Sequence, residues 1–290
     1  MTEMDFRRSA IVLIVCFFFL DVFLFGLVWQ KKVESKTPLN SSINVIDQMK
    51  QDGITLPSLP STDETAPIIQ LTPVSIGPGL NNLQNQSVTL EKNVITAELL
   101  PPIQLGLSTP INEESFNALT NFINNKVLFG DKYVWSSYNA TTRKVIYAQK
   151  ADKLSIMDGT SQIIVTLNAN DQAVSYEQTY AGNVQVLGNK RSLITAQSAV
   201  EVLFLAGKIP AKSIVSTVKL SYFQSLVLKE FSIYSPAWYV EIRQADGQLV
   251  ARRVDAIHGT VLTNETLETT NTQTQRTTTN NTTTQTVQQQ

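Results

Sequence analysis

The sequence predicts an α+β protein with one N-terminal transmembrane helix followed by two units, each made of a helix and an antiparallel sheet. Three observations predict this fold. Residues 9–29 are almost continuously apolar, residues from 112 onward show helical spacing and then short strands, and this order recurs from residue 191. The predicted segments are a cytoplasmic N-terminus at 1–8, a transmembrane helix at 9–29, a membrane-proximal linker and partly packed segment at 30–111, a first α+β unit at 112–190, a second α+β unit at 191–262, and a disordered tail rich in Thr, Asn and Gln at 263–290.

The apolar run has the length of a membrane span. About twenty residues at ~1.5 Å of rise per residue match the ~30 Å hydrocarbon core, and no polar face interrupts them. Lysines rather than small residues follow the run, which favours a retained anchor over a signal peptide cleaved near Val33-Glu34-Ser35. Basic residues flank both ends and do not decide the orientation. The short N-terminal tail favours a single-pass protein of the cell membrane, with its N-terminus inside and its C-terminal domain extracytoplasmic.

Asp21 is the only ionisable residue inside the apolar run. A carboxylate at mid-membrane costs on the order of 3 kcal/mol on insertion scales, and such residues usually face a partner helix or a polar cavity. Two interpretations stay open. Asp21 either contacts a partner helix or is protonated and tolerated by a very hydrophobic helix.

Composition limits the possible functions of the chain. Its 290 residues carry a formal net charge of -1, so no basic field is present to hold nucleic acid. The only cysteine is Cys16, inside the apolar run. The remainder of the chain can therefore form no internal disulfide and depends on packing for its stability.

The segment between the span and residue 111 is rich in proline. A short helix is predicted first, with Asn40-Ser41-Ser42 as its cap and Gly53 at its end. Because proline lacks the donor of a sheet ladder, few central strands are expected beyond this helix. Short extended pieces are predicted only at Ile68–Leu71 and Val88–Leu99.

The first unit begins with a helix between Asn112, a plausible N-cap, and Gly130. Its apolar positions follow helical spacing: Phe116, Leu119, Phe122, Ile123 and Val127. Strands are predicted at Tyr133–Tyr138, Lys144–Lys150, Leu154–Met157, Gln162–Leu167 and Ala173–Tyr180. Asp158-Gly159 predicts a hairpin turn. The unit therefore reads as one helix on an antiparallel meander.

The second unit repeats this order. A mostly apolar helix is predicted from Leu193 to Ala206, ended by Gly207 and Pro210. Strands are predicted at Ile214–Phe223, Leu226–Tyr234, Trp238–Gln244, Leu249–Val254 and Thr260–Leu262. The polar tail beyond has nothing to bury, which predicts disorder.

The sequence contains no recognisable catalytic, cofactor-binding or metal-binding constellation, so we expect neither an enzyme nor a bound cofactor. His258 is the only histidine, and its position before Gly259 predicts an exposed turn residue rather than a Ser-His-Asp site with Asp255. One histidine and one cysteine exclude the usual zinc spacings. Aromatic residues on the predicted strands are expected in core or cross-strand positions: Trp135, Tyr138, Tyr147, Tyr176, Tyr180, Trp238 and Tyr239.

Two stretches resemble a known family. The N-terminal stretch MDFRRSAIVLIVCFFFLDVFLFGLVWQ, with Asp5 before the span and Leu20-Asp21-Val22-Phe23-Leu24 within it, resembles the YycI family. The C-terminal stretch SPAWYVEIRQADGQLVARRVDAIHGTVL resembles the closing hairpins of YycI and of PepSY-like domains. The matching positions there are Ala237, Trp238, Asp255, Ala256 and Gly259. The polar tail and the proline-rich segment depart from the family's pattern.

The resemblance implies a function that composition does not show. YycI-like proteins are accessory proteins of the essential YycFG (WalKR) two-component system of low-GC Gram-positive bacteria. They are anchored outside the cytoplasmic membrane, associate with a YycH-like partner and a sensor histidine kinase, and modulate a signal to cell-wall metabolism. Leu20, Asp21 and Leu24 are then expected to contact the transmembrane helices of the kinase. The alternative implied by the PepSY-like part is an anchored inhibitor of a secreted peptidase.

Overall fold

The computed structural model describes Ile11 and residues 13–23, 42–60, 64–80, 83–107 and 109–262. Ile11 and residues 13–23 are helical. Among the residues described, no helix is long and apolar enough to cross a membrane. The predicted span at 9–29 extends beyond these residues and stays a prediction, and the predicted tail at 263–290 lies outside them.

The described chain is mostly antiparallel sheet with few helices, so the predicted α+β class is confirmed. The α-helices are α1 (Ser42–Gln51), α2 (Gly77–Leu80), α3 (Asn117–Lys126) and α4 (Ala196–Leu205), with 3-10 turns at Glu113–Phe116 and Gly130–Lys132. The strands are β1 (Thr65–Thr72), β2 (Gln86–Glu91), β3 (Val94–Gln104), β4 (Tyr133–Asn139), β5 (Lys144–Ala151), β6 (Leu154–Ser155), β7 (Gln162–Leu167), β8 (Gln172–Gln178), β9 (Asn183–Ser192), β10 (Ile214–Val227), β11 (Ser232–Arg243), β12 (Leu249–Asp255) and β13 (Val261–Leu262).

The first sheet has the order β2-β3-β8-β7-β5-β4, with β6 paired to β5. Its strands β4, β5, β7 and β8 form the meander that the sequence predicts. In β7, buried Ile163, Val165 and Leu167 alternate with half-buried residues, as period-two geometry requires. Helix α3 packs on this sheet through Leu119 and Ile123, which are four residues apart and therefore on one face.

The second sheet has the order β13-β12-β11-β1-β9, with β10 on the other side of β11. Strands β10 to β13 again form a meander after a helix. Helix α4 is capped by the Thr195 side chain, which accepts from the Ser198 amide. The buried indole of Trp238 donates to the carbonyl oxygen of Ile194 at 2.9 Å, and this bond fixes the start of α4 against β11.

The expectation that the proline-rich segment holds few central strands is wrong. Strand β1 lies between β9 and β11, and β3 lies between β2 and β8. The prolines within β1 and β3 are accommodated because each lies where a bulge interrupts the ladder. The register with β9 shifts at Pro67, and the register with β8 shifts across residues 99–102, which include Pro101 and Pro102.

Further strand predictions are corrected. The predicted extended piece Val88–Leu99 is a hairpin of β2 and β3. Strand β9 was not predicted at all. The predicted strand Leu226–Tyr234 contains the end of β10, the turn at 228–231 and the start of β11, and β11 then continues without a break through the predicted strand Trp238–Gln244 as far as Arg243. Pro236 did not break β11 because β1 pairs with residues 232–234 and β12 with residues 237–243. The proline nitrogen lies in the gap between these two neighbours, where no donor is required.

The predicted domain bounds at residues 111 and 190 stay predictions, but neither coincides with a boundary between the sheets. Strands β1, β2 and β3 come from the segment predicted as a linker. Strand β9, from the first predicted unit, pairs with β1 in the sheet of the second.

Candidate interaction sites

Two of the three predicted partner-binding residues lie on the N-terminal helical segment that the structure describes. Leu20 and Asp21 are both exposed there, whereas Leu24 lies outside the described residues. Every described side chain from Ile11 to Phe23 is exposed, including Leu20 with 51% of its surface accessible. An uncovered apolar surface of this extent is typical of a membrane or protein contact. Asp21 is the one charged side chain on it.

A second candidate site arises where the two sheets meet. Residues 156–160, which we call the junction segment, leave β6 and run beside the outer edge of β10. Ile156 bridges to Tyr222 in parallel, and the Met157 amide donates to the Tyr222 carbonyl oxygen at 3.2 Å. The first sheet is therefore joined to the second by main-chain hydrogen bonds.

A buried arginine holds the junction segment from the second sheet. The Arg253 side chain donates from Nε and Nη2 to the Met157 carbonyl oxygen, at 2.9 and 2.6 Å. Its guanidinium lies 5.7 Å from the centre of the Tyr239 ring, within the range of a cation–π contact. Burial lowers the pKa of Arg253, while the negative charge of Asp158 opposes this shift.

Asp158 completes the junction. Its carboxylate is buried and accepts hydrogen bonds from the Gln224 amide at 2.6 Å and from the Thr160 hydroxyl at 2.6 Å. That hydroxyl also lies 3.0 Å from the Tyr234 hydroxyl, and burial raises the pKa of Tyr234. Apolar residues of both sheets pack around these bonds: Ile69, Leu71, Ala151, Ile156, Tyr222 and Tyr234.

A groove of about 350 Å³ runs along the junction. Two cross-strand pairs of β10 and β11 form one wall, Thr217 with Glu241 and Lys219 with Tyr239. The opposite wall comes from β4, with Trp135 and Tyr138, and further lining comes from Ile111, Ser136, Ser137, Ala140 and Met157. Burial, followed by the charge of Glu241, raises the pKa of Tyr239 to about 12, so this ring stays neutral at physiological pH. Aromatic rings with one cation and one anion offer contacts to a polar, partly apolar partner.

The aromatic residues of the predicted strands divide into two groups. Tyr147, Tyr176 and Trp238 are buried in the core, which confirms the prediction for them. The others are half-buried: Trp135, Tyr138 and Tyr180 pack against the core and Tyr239 lies in a cross-strand position, which also agrees with the prediction. Trp135, Tyr138 and Tyr239 line the groove as well. Sequence reasoning missed the groove because its walls come from strands about eighty residues or more apart, and no local pattern links them.

His258 is an exposed turn residue, as predicted. Its side chain is 68% accessible, and Nδ1 lies 2.9 Å from Asp255 Oδ2. The Asp255 carboxylate also accepts from the main-chain amides of Ile257 and His258, which closes the turn before β13. Within the described ranges, no group of three or more His, Cys, Asp or Glu side chains is placed to hold a metal ion.

Comparison with solved structures gives weak likenesses. A crystal structure of an uncharacterised protein from Eubacterium rectale ATCC 33656 aligns with a TM-score of 0.44 and 10% identity, over 73% of this chain and 91% of that one. A likeness at this level supports no assignment of fold or function. The search of curated proteins found no match.

The family comparison is decisive for the identity of the chain. The family model described as YycI protein matches residues 33–257. The match begins just after the apolar run and includes both sheets, except β13, and the junction segment. Because it covers most of the sequence, the chain belongs to the YycI family.

Proposed function

We propose that this protein is a membrane-anchored, extracytoplasmic regulator that binds a sensor histidine kinase of the YycG type together with a YycH-like partner. The observation that carries the proposal is the match to the YycI family, which is linked to the YycFG two-component system. The regulator acts by contact rather than by catalysis. It changes the kinase signal to cell-wall metabolism by favouring one packing of the kinase's transmembrane helices over another.

The exposed N-terminal helix supports a contact within the membrane. Its apolar side chains at Ile11 and residues 13–23 are exposed and suit a lipid environment. Asp21 indicates which side of the helix faces a partner, because a carboxylate at mid-membrane is stabilised when it meets a polar group on a neighbouring helix. We therefore place the kinase contact on the side of the helix that carries Leu20, Asp21 and Leu24, with the N-terminus inside the cell.

The experiment is a co-purification from detergent-solubilised membranes of a cell that carries the kinase. Three baits are compared: the full chain, a chain lacking residues 1–30, and a double variant, Asp21→Val with Val22→Asp. The double variant keeps the composition of the helix and moves the carboxylate about 100° around it at nearly the same depth. The matched control is Asp21→Asn, which keeps a polar side chain in the original direction.

The full chain is expected to retain the kinase and a second anchored protein, and Asp21→Asn is expected to retain them in part. The truncated chain and the double variant are expected to lose the kinase, and autophosphorylation of the kinase should change in parallel. Equal retention by the full chain and the double variant would show that no directed contact exists. A peptidase retained equally by the full and truncated chains would contradict the kinase proposal and favour an anchored inhibitor.

A further inference from the structure

The outer edge of β9 is the most accessible strand edge in the described part of the chain. Strand β9 pairs with β1 on one side, and nine of its ten residues are exposed, Leu187 being the exception. The other outer strands are shorter or covered. β13 has two residues, β2 six and β4 seven, while Thr55 and Ile156 bridge to the longer β10.

The first half of β9 is suited to pair with another strand. Val184 and Val186 are 36% and 48% exposed, and they lie opposite Leu71 and Ile69 of β1, which are fully buried. The valines therefore continue an apolar row from the core to the free edge. Beyond Leu187 the ladder with β1 is interrupted by a register shift, which leaves 183–187 as the regular stretch.

The sequence of this stretch is self-complementary. It reads Asn-Val-Gln-Val-Leu, and an antiparallel pair centred on Gln185 places Val184 of each copy opposite Val186 of the other. β-branched residues directly opposite one another are favourable cross-strand pairs. The antiparallel arrangement also separates the exposed Lys190 and Arg191 of the two copies, whereas a parallel one would place like charges side by side.

We propose that two copies of this chain associate through their β9 strands, with a two-fold axis at Gln185, and form one sheet that continues across both molecules. This isologous contact needs no rearrangement of the fold, because the edge is already extended and uncovered. The pairing is independent of the kinase contact, which lies on the N-terminal helix.

The test uses disulfide trapping in the full chain, with Cys16→Ser as the background so that one cysteine is present at a time. In the proposed dimer, the two Cα atoms at position 185 are about 4.5–5.5 Å apart, within the range that a disulfide spans. The matched control is Asn189→Cys on the same strand. Its two copies would be about 27 Å apart, from eight residues of ~3.4 Å rise.

Gln185→Cys is expected to give at least ten-fold more disulfide-linked dimer than Asn189→Cys in detergent or in membranes. Adding Val184→Lys to Gln185→Cys should reduce this yield at least ten-fold while the thermal melt stays unchanged. Equal yields at positions 185 and 189 would overturn the proposal, since a dimer held by the N-terminal helix would give that result. A cross-link from position 185 to a different protein would also overturn it, because the edge would then belong to another partner.

Discussion

Replacing Arg253 by leucine tests the junction between the two sheets. Arg253 is 8% exposed, and its side chain donates two hydrogen bonds to the Met157 carbonyl oxygen. Leucine fills much of the space but donates nothing, so the carbonyl oxygen of half-buried Met157 loses its charged partner. Arg252, the neighbour on β12, provides the matched control, because its side chain donates to the adjacent Ala251 carbonyl oxygen at 3.2 Å rather than to the junction segment.

The expected loss follows from these contacts. Hydrogen bonds from a charged donor contribute about 1.5–3 kcal/mol net, and the contact with the Tyr239 ring adds about 0.5–1 kcal/mol. Because leucine carries no charge, the variant avoids the desolvation cost of burying a guanidinium, and this offsets part of the loss. We therefore expect Arg253→Leu to lower the free energy of unfolding by about 2–3 kcal/mol, and Arg252→Leu to lower it by less than about 1 kcal/mol.

The assay is equilibrium unfolding in urea, followed by tryptophan fluorescence on the full chain in mild detergent. Unfolding should remain a single transition, with the same slope for both variants, so that midpoints can be compared. Arg253→Lys should lie between the wild type and Arg253→Leu, because an ammonium group keeps a charge but not the planar fork. If both leucine variants shifted the midpoint equally, the junction would not depend on Arg253.

Three other predictions concern the second sheet and the turns beside it. Gly182→Ala should destabilise the protein by roughly 3 kcal/mol or more, because at a φ of +111° the new Cβ would lie 2.0 Å from the Thr72 carbonyl oxygen at the end of β1. Gly188→Ala, at a φ of +65° with open space around it, should cost about 1 kcal/mol. Thermal melts of the two variants compare them directly. Burial raises the pKa of Asp255, but hydrogen bonds from the turn it closes outweigh burial and lower it overall. Its stabilising contribution should therefore be complete above pH ~4 and disappear as the pH falls through its lower folded pKa, and Asp255→Asn should flatten this acid limb in urea titrations. Trp238→Phe removes the indole hydrogen bond at the start of α4 and should cost about 1–2 kcal/mol, measured by the same unfolding assay.

Each of these predictions has an outcome that contradicts it. Equal melting temperatures for the two alanine variants would show that the Cβ contact at position 182 is not destabilising. An acid limb unchanged by the asparagine substitution would mean that other carboxylates dominate acid unfolding. A phenylalanine variant as stable as the wild type would show that the indole nitrogen finds water or another acceptor equally well.

Local sequence was sufficient for the helices and for strands whose neighbours are close in the chain. Asn112 caps the 3-10 turn that leads into α3, Thr195 caps α4, and both helices have apolar faces at helical spacing. Strand β7 alternates buried and half-buried residues. Short turns join most consecutive strands of the meanders, whereas β5 reaches β7 through β6 and the junction segment. In these cases the residues that determine an element lie within it or beside it, so the pattern is visible without the fold.

Elements defined by distant pairing were not predictable in this way. Strand β9 is exposed on both faces, so it lacks the alternation that marks a half-buried strand. Its partner β1 lies more than a hundred residues earlier. The prolines of β1 and β3 argued against central strands, and only the pairing register shows that they lie at bulges.

The sequence by itself determined the α+β class, the two helix-and-meander arrangements, the exposed histidine turn and, through its resemblance, the YycI family. The tertiary structure decided how the sheets are joined, that a buried arginine and aspartate hold the junction, and that the edge of β9 is left free. The physical reason is that propensity, capping and turn chemistry act over a few residues. Sheet order, grooves and free edges depend on contacts between strands that are far apart in the chain, and these contacts exist only when the whole core is packed.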